Sequence, residues 1–174
     1  MGKIIRSKDE LSNTINTLNR EHVKIVMVNG CFDLFHVGHL SLLRFAKSQG
    51  DILVAAVNSD LSINNIKGAS RPIIPQEDRI KILASIVYVD YAILFNEDNP
   101  SLLISIVKPD AIVKEEEYRS KKISEIATIK KYDIDLIFYK KENNVSTSLI
   151  INKILEAVFN NKKVECEALG TGDE

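Results

Sequence analysis

Hydrophobic and polar positions alternate along the chain in two rhythms. Five short stretches, 23–28, 52–57, 91–95, 111–113 and 135–139, are nearly unbroken apolar runs rich in branched side chains, the pattern of strands buried on both faces. Between them the apolar positions recur at helical spacing over about 37–49, 76–88, 100–107 and 119–131,. A further helix is predicted over 8–20, capped by Ser7 with Glu10 three residues on, the spacing of a capping box,. A last helix is predicted from near Thr147, with Ser146 as its cap,. Alternation with short connections predicts one α/β domain, a doubly wound parallel sheet of five strands with helices on both faces. Residues 1–22 read as an N-terminal helical extension, 23–159 as the domain, and 160–174, where the period fades, as a disordered tail,.

Composition narrows the classes little. The 174 residues are 45% hydrophobic and 27% charged, with a formal net charge of −1, so no global field draws the chain to nucleic acid or an anionic membrane. Any bound anion must be held by a local constellation. The N-terminal residues carry no long apolar stretch, and the two cysteines, Cys31 and Cys166, are far apart. These features predict a cytoplasmic protein without a disulfide framework.

In an open parallel sheet, ligands bind beyond the carboxyl ends of the strands where strand order reverses. The stretch "VNGCFDLFHVGH", Val28 to His39, lies there, between the end of one strand and the start of a helix. Its two histidines do not have zinc spacing: they are three apart with no glutamate between them, and no cysteines complete a set. They share one face of a first helical turn, together with that turn's free N–H groups and its positive dipole end. Gly38 leaves the backbone bare, and Gly30 does the same in the turn before it. Two imidazoles, free amides and glycines at a helix start predict a phosphate cradle. The competing reading is a plain helix start with two partly buried imidazoles.

These residues resemble the His-x-Gly-His signature of the cytidylyltransferase-like nucleotidyltransferases. The similarity continues through "AVNSD", "KGASRPIIPQEDRIKIL", "VDYAILFNEDNP", "KPDAIVK" and "STSLIINKI". Within that family it is most similar to the branch that adenylylates D-glycero-β-D-manno-heptose 1-phosphate to ADP-heptose, a lipopolysaccharide precursor. The resemblance implies a Rossmann-like fold and direct in-line transfer of a nucleotidyl group, with Mg²⁺ carried by the nucleoside triphosphate. It also implies ATP or CTP and a sugar or polyol phosphate as substrates, no nucleic acid or membrane partner, and a homodimer. Such chemistry needs positioning and charge neutralisation rather than an activated nucleophile.

By the same resemblance His36, His39 and Lys67 are the catalytic candidates. Asn29, Gly30, Cys31, Phe32, Gly38, His39, Ser146 and Thr147 are the nucleotide-binding set. Asp33, Asn58, Asp60, Arg71, Arg79 and Lys114 are the acceptor-binding set, with Arg79 offering a planar fork to the acceptor phosphate. No dedicated metal ligands are expected. One departure stands out: heptose enzymes carry Lys-Gly-Gly-Asp-Tyr after the fourth strand, and this chain has Lys114-Glu115-Glu116-Glu117-Tyr118. Either Glu115 and Glu116 turn to solvent, or the acceptor differs. A polyol-phosphate cytidylyltransferase and a catalytically silent nucleotide-binding domain are the alternatives.

Overall fold

The computed structural model describes residues 1–141 and 144–169, with side chains to Asn160. In chain order the elements are β1 (Lys3–Ile5), α1 (Lys8–Asn16), β2 (Ile25–Gly30), α2 (Val37–Lys47), β3 (Ile52–Asn58), α3 (Asp60–Lys67) and α4 (Gln76–Ser85). They continue with β4 (Tyr91–Phe95), α5 (Ser101–Val107), β5 (Ala111–Glu115), a 3₁₀ turn (Glu116–Ser120), α6 (Ile126–Lys131), β6 (Asp135–Tyr139) and α7 (Thr147–Leu169).

The sheet has six strands, not five, in the order β1-β4-β3-β2-β5-β6, and every pair is parallel. The added strand is β1, which pairs with β4 through Lys3, Ile4 and Ile5. Three residues are too few to show a period, which is why the sequence pattern hides it. Residues 1–22 thus supply a strand as well as a helix, and α1 buries Leu11 and Ile15 in the core. Ser7 accepts from the Glu10 N–H at 3.0 Å, while the Glu10 carboxylate reaches back to the Arg6 N–H at 2.8 Å, one residue short of a true capping box,.

Strand alternation sorts the core into two layers. Val26, Val28, Val57 and Val113 pack with Leu42, Leu43 and Ala46 of α2 and with Ile80 and Leu83 of α4. Ile25, Met27, Val54 and Ile112 face the other way, against Leu11 and Ile15 of α1, Leu103 and Val107 of α5 and Ile129 of α6. Two further elements depart from expectation. Helix α3 was not foreseen, and the helix expected over 119–131 is a 3₁₀ turn and a short α6 separated by a loop. Helix α7 runs on to Leu169, past residue 160 where the period was expected to fade; residues 170–174 of the expected tail lie outside the described residues.

Strand order reverses between β2 and β5: the chain leaves β2 for β3 on one side, and β5 lies on the other. Their carboxyl ends flank a crevice.

Candidate active site

A cavity of about 530 Å³ opens at that crevice. Its lining includes Asn29, Gly30, Cys31 and Phe32 from the end of β2, His36 and His39 from α2, Lys67 from the end of α3, and Ser146 and Thr147 from the start of α7. The sequence-predicted catalytic residues are therefore brought to one space.

His36 is the N-cap of α2, and its Nδ1 accepts from the Gly38 N–H at 3.1 Å. The remaining ring proton is then on Nε2, a donor. The His36 and His39 rings stack 3.8 Å apart at 20°. Phe32 and Phe35 flank His39 at 5.3 and 5.6 Å. Burial pushes His39 down to about 3, helped by His36, Lys141 and Lys67 and opposed by Asp33. Burial, then Lys141, lowers His36 as well. Both rings are thus neutral at pH 7, and His39 Nδ1 has no hydrogen-bond partner among the described residues. Gly38 does not line the cavity. A Cβ there would stand 3.0 Å from the His36 ring and 3.3 Å from the Val145 carbonyl, so glycine lets the starts of α2 and α7 meet. Ser146 caps α7 by accepting from Leu149 N–H at 3.3 Å, and Thr147 Oγ1 donates to the Asp33 carbonyl at 2.8 Å.

Several residues expected to bind the acceptor are turned to other partners. Arg79 is 1% exposed and off the cavity wall. It donates to the Ile74 carbonyl at 2.9 Å, the Cys31 carbonyl and Asp60 Oδ1 at 2.7 Å. The guanidinium braces the turn after β2 and cannot offer its fork to a ligand, and Asp60 is occupied by it. The Asp33 carboxylate is buried and accepts from Arg71 Nε at 2.8 Å and from the Ile73 and Ile74 N–H groups at 3.0 and 2.9 Å. Burial alone would raise this carboxyl, but those two N–H groups and Arg71 outweigh it and hold it below the usual range,. Arg71 is thereby tied to Asp33 and does not line the cavity. Asn58 lines it but donates to Ser62 Oγ at 3.0 Å. Lys114 lines it too, ion-paired with Glu125 and donating to Asn29 Oδ1 at 3.0 Å, so one residue of the expected nucleotide set holds one of the acceptor set.

The glutamate-rich segment divides differently from expectation. Glu115 and Glu117 line the cavity, whereas Glu116 pairs outward with Arg119 at 2.7 Å. Lys141 bridges to Glu115 at 2.8 Å. Burial and neighbouring Glu117 push the Glu115 carboxyl up against the pull of Lys141. Lys141, Glu117, Ser124 and Glu125 are cavity residues that the site prediction omitted. Glu125 and Ser124 sit in the stretch expected as a helix over 119–131, and no motif marks them. Among the described residues no group of three or more His, Cys, Asp or Glu is gathered as for a metal ion.

The bifunctional protein HldE of Helicobacter pylori strain J99 is 47% identical over 146 residues, covering 83% of this chain and 30% of that protein. HldE of Campylobacter jejuni subsp. doylei is 41% identical over 152 residues, 87% of this chain and 32% of the relative. The chain thus spans about a third of the length of these curated relatives. A crystal structure of the lipopolysaccharide core biosynthesis protein from Thermoplasma volcanium superposes with a TM-score of 0.56 at 30% identity, covering 71% of this chain and 99% of that one. The cytidylyltransferase-like family matches residues 27–153, from within β2 into α7 and across every wall of the cavity; the chain belongs to that family.

Proposed function

We propose that the protein is a nucleotidyltransferase that moves AMP from ATP to a sugar phosphate, with D-glycero-β-D-manno-heptose 1-phosphate the best single acceptor, giving ADP-heptose and pyrophosphate. The observation that carries this reading is the convergence of two neutral, stacked imidazoles, the N-termini of α2 and α7, and Lys67 and Lys141 at one end of the cavity. The HldE relatives and the lipopolysaccharide core biosynthesis protein support the acceptor class.

His36 presents its Nε2–H to a phosphate oxygen, with His39 stacked against it. The α2 and α7 amides and the Ser146 hydroxyl hold the terminal phosphates, while Thr147 stays bonded to the Asp33 carbonyl,. An oxygen of the acceptor phosphate attacks the α-phosphorus in line, the bond to the β-phosphate oxygen breaks, and pyrophosphate leaves with no covalent enzyme intermediate. Donors preset where charge develops supply the acceleration. Mg²⁺ bound to the incoming ATP would supply charge neutralisation on the phosphates. Catalysis in the cytoplasm as a homodimer belongs to the same proposal. Ile154, Leu155, Val158 and Phe159 form an exposed apolar stripe on α7, a surface suited to a second copy.

Pyrophosphate release, measured with ATP and CTP crossed against heptose 1-phosphate, other sugar 1-phosphates and glycerol 3-phosphate, tests the reading. Release with ATP and a sugar 1-phosphate is expected. Release only with CTP and a polyol phosphate overturns the choice of substrates, and release with none overturns the activity.

A further inference from the structure

The cavity has an end that the transfer chemistry leaves unused. Glu115 and the histidines lie toward α2, whereas Lys114 and Asn29, one residue out of phase, lie on the opposite face of the sheet with the α5 and α6 layer,. There Lys114 and Glu125 form a buried ion pair, 8% and 3% exposed, on the cavity wall. Asn29 Oδ1 accepts from Lys114 at 3.0 Å, and Ser124 Oγ donates to Glu125 at 2.8 Å. The opposed charges of the pair cancel, so Lys114 brings no net positive charge of its own to a ligand there. The Tyr118 ring beside the pair lies 5.4 and 5.2 Å from the ammonium groups of Lys114 and Lys121. Lys114 spends two of its three N–H groups on Glu125 and Asn29, and each Glu125 oxygen keeps a free lone pair.

A buried ion pair contributes little stability that an apolar pair could not supply. Here it sets one spare donor beside one spare acceptor at the edge of a ligand cavity. We propose that Lys114 and Glu125 read two adjacent hydroxyl groups of a sugar ring, Lys114 donating to one oxygen and Glu125 accepting from its neighbour. This deepens the nucleotidyltransferase reading and rests on it, since both substrates carry such a pair: the ribose of the nucleotide and the acceptor sugar.

The test removes hydroxyls and the ion pair in turn. Binding of a non-hydrolysable ATP analogue is compared with that of its 2′-deoxy and 3′-deoxy forms. The KM of heptose 1-phosphate is compared with those of its monodeoxy analogues by pyrophosphate release. In the parent, loss of a hydroxyl is expected to cost roughly tenfold in one of the two series, and Glu125→Gln should abolish most of that difference. Because Glu125→Gln leaves Lys114 buried without its counter-charge, Lys114→Met/Glu125→Met serves as the second variant: it keeps the volume, removes both charges and both hydrogen bonds, and should discriminate less than about twofold.

Sensitivity in the ribose series assigns the pair to the nucleotide, and sensitivity in the acceptor series assigns it to the acceptor. Full discrimination retained by the folded double variant, or none in the parent, overturns the proposal. Absence of pyrophosphate release with a hydroxyl-sensitive ribose series sinks the transferase reading alone. Failure of the parent to bind either substrate sinks both.

Discussion

His36 and His39 lie face to face, 3.8 Å between ring centres, with the Nδ1 of His36 spent on the Gly38 N–H. Two charged rings could not stack so closely in a half-dry site, so the pair is held neutral, and the proposed transfer uses it as a set of neutral donors. His36→Ala and His39→Ala should each lower turnover by about two to three orders of magnitude, the scale of losing one preset donor to a developing charge. Steady-state kinetics on folded variants checks this, and near-parental rates in both would remove the pair from catalysis.

The same burial makes His39 a liability in acid. Its pKa is about 3 in the fold and about 6.5 when unfolded, so the unfolded chain binds the extra proton between those values. Stability is complete above about pH 6.5 and falls as pH drops toward 3, by about 1.4 kcal/mol per pH unit from this group once the unfolded imidazole is protonated. Urea unfolding at pH 7, 6 and 5 should show the loss before the carboxylates titrate, and His39→Asn should flatten the slope.

Arg79 should behave as a brace. Arg79→Met strands the Ile74 and Cys31 carbonyls and Asp60, and is expected to cost on the order of 3 kcal/mol. Thermal denaturation beside acceptor KM decides the point. A stable protein with a raised acceptor KM would restore the acceptor-binding role expected from sequence.

Glu115 holds Lys141 at the cavity wall. Glu115→Gln frees that ammonium and removes a negative charge near the phosphates, so affinity for an ATP analogue should rise about tenfold. Calorimetric titration measures it directly. Unchanged or weaker binding would mean that Lys141 stays with Glu115 when nucleotide binds.

The exposed stripe on α7 gives a fifth expectation. Leu155→Glu and Phe159→Glu should turn a dimer into a monomer with the domain still folded, as read by light scattering and circular dichroism. A parent that is already monomeric would dismiss this stripe as the contact.

How far the sequence foretold these features depended on the physics behind each. Strands β2 and β3 bury both faces and announce themselves as apolar runs. The edge strand β1 buries chiefly Ile5, and α3 buries only Ser62 and Ile63, so neither leaves a period to read. The convergence of His36 and His39 at the start of α2 was legible because they and Gly38 are neighbours in the chain as well as in space. The burial of Arg79 was not legible because a guanidinium on an amphipathic helix reads as surface; it depends on carbonyls 5 and 48 residues away. Glu125 meets Lys114 only because the chain turns between the 3₁₀ segment and α6, a connection that no spacing rule encodes.

Asp33 gathers three separate pieces of chain. Its carboxylate holds Arg71, Ile73 and Ile74, and its carbonyl takes the Thr147 hydroxyl. The segment from Gly68 to Ser70 just before that clasp is exposed, the sort of place where a protease cuts. A nick there would break covalent continuity without releasing the wall of the cavity, because Asp33 anchors the chain on the far side of the cut. The two fragments would stay joined by this carboxylate, by Arg79, whose bonds to Cys31 and Asp60 also cross the cut, and by the surrounding sheet.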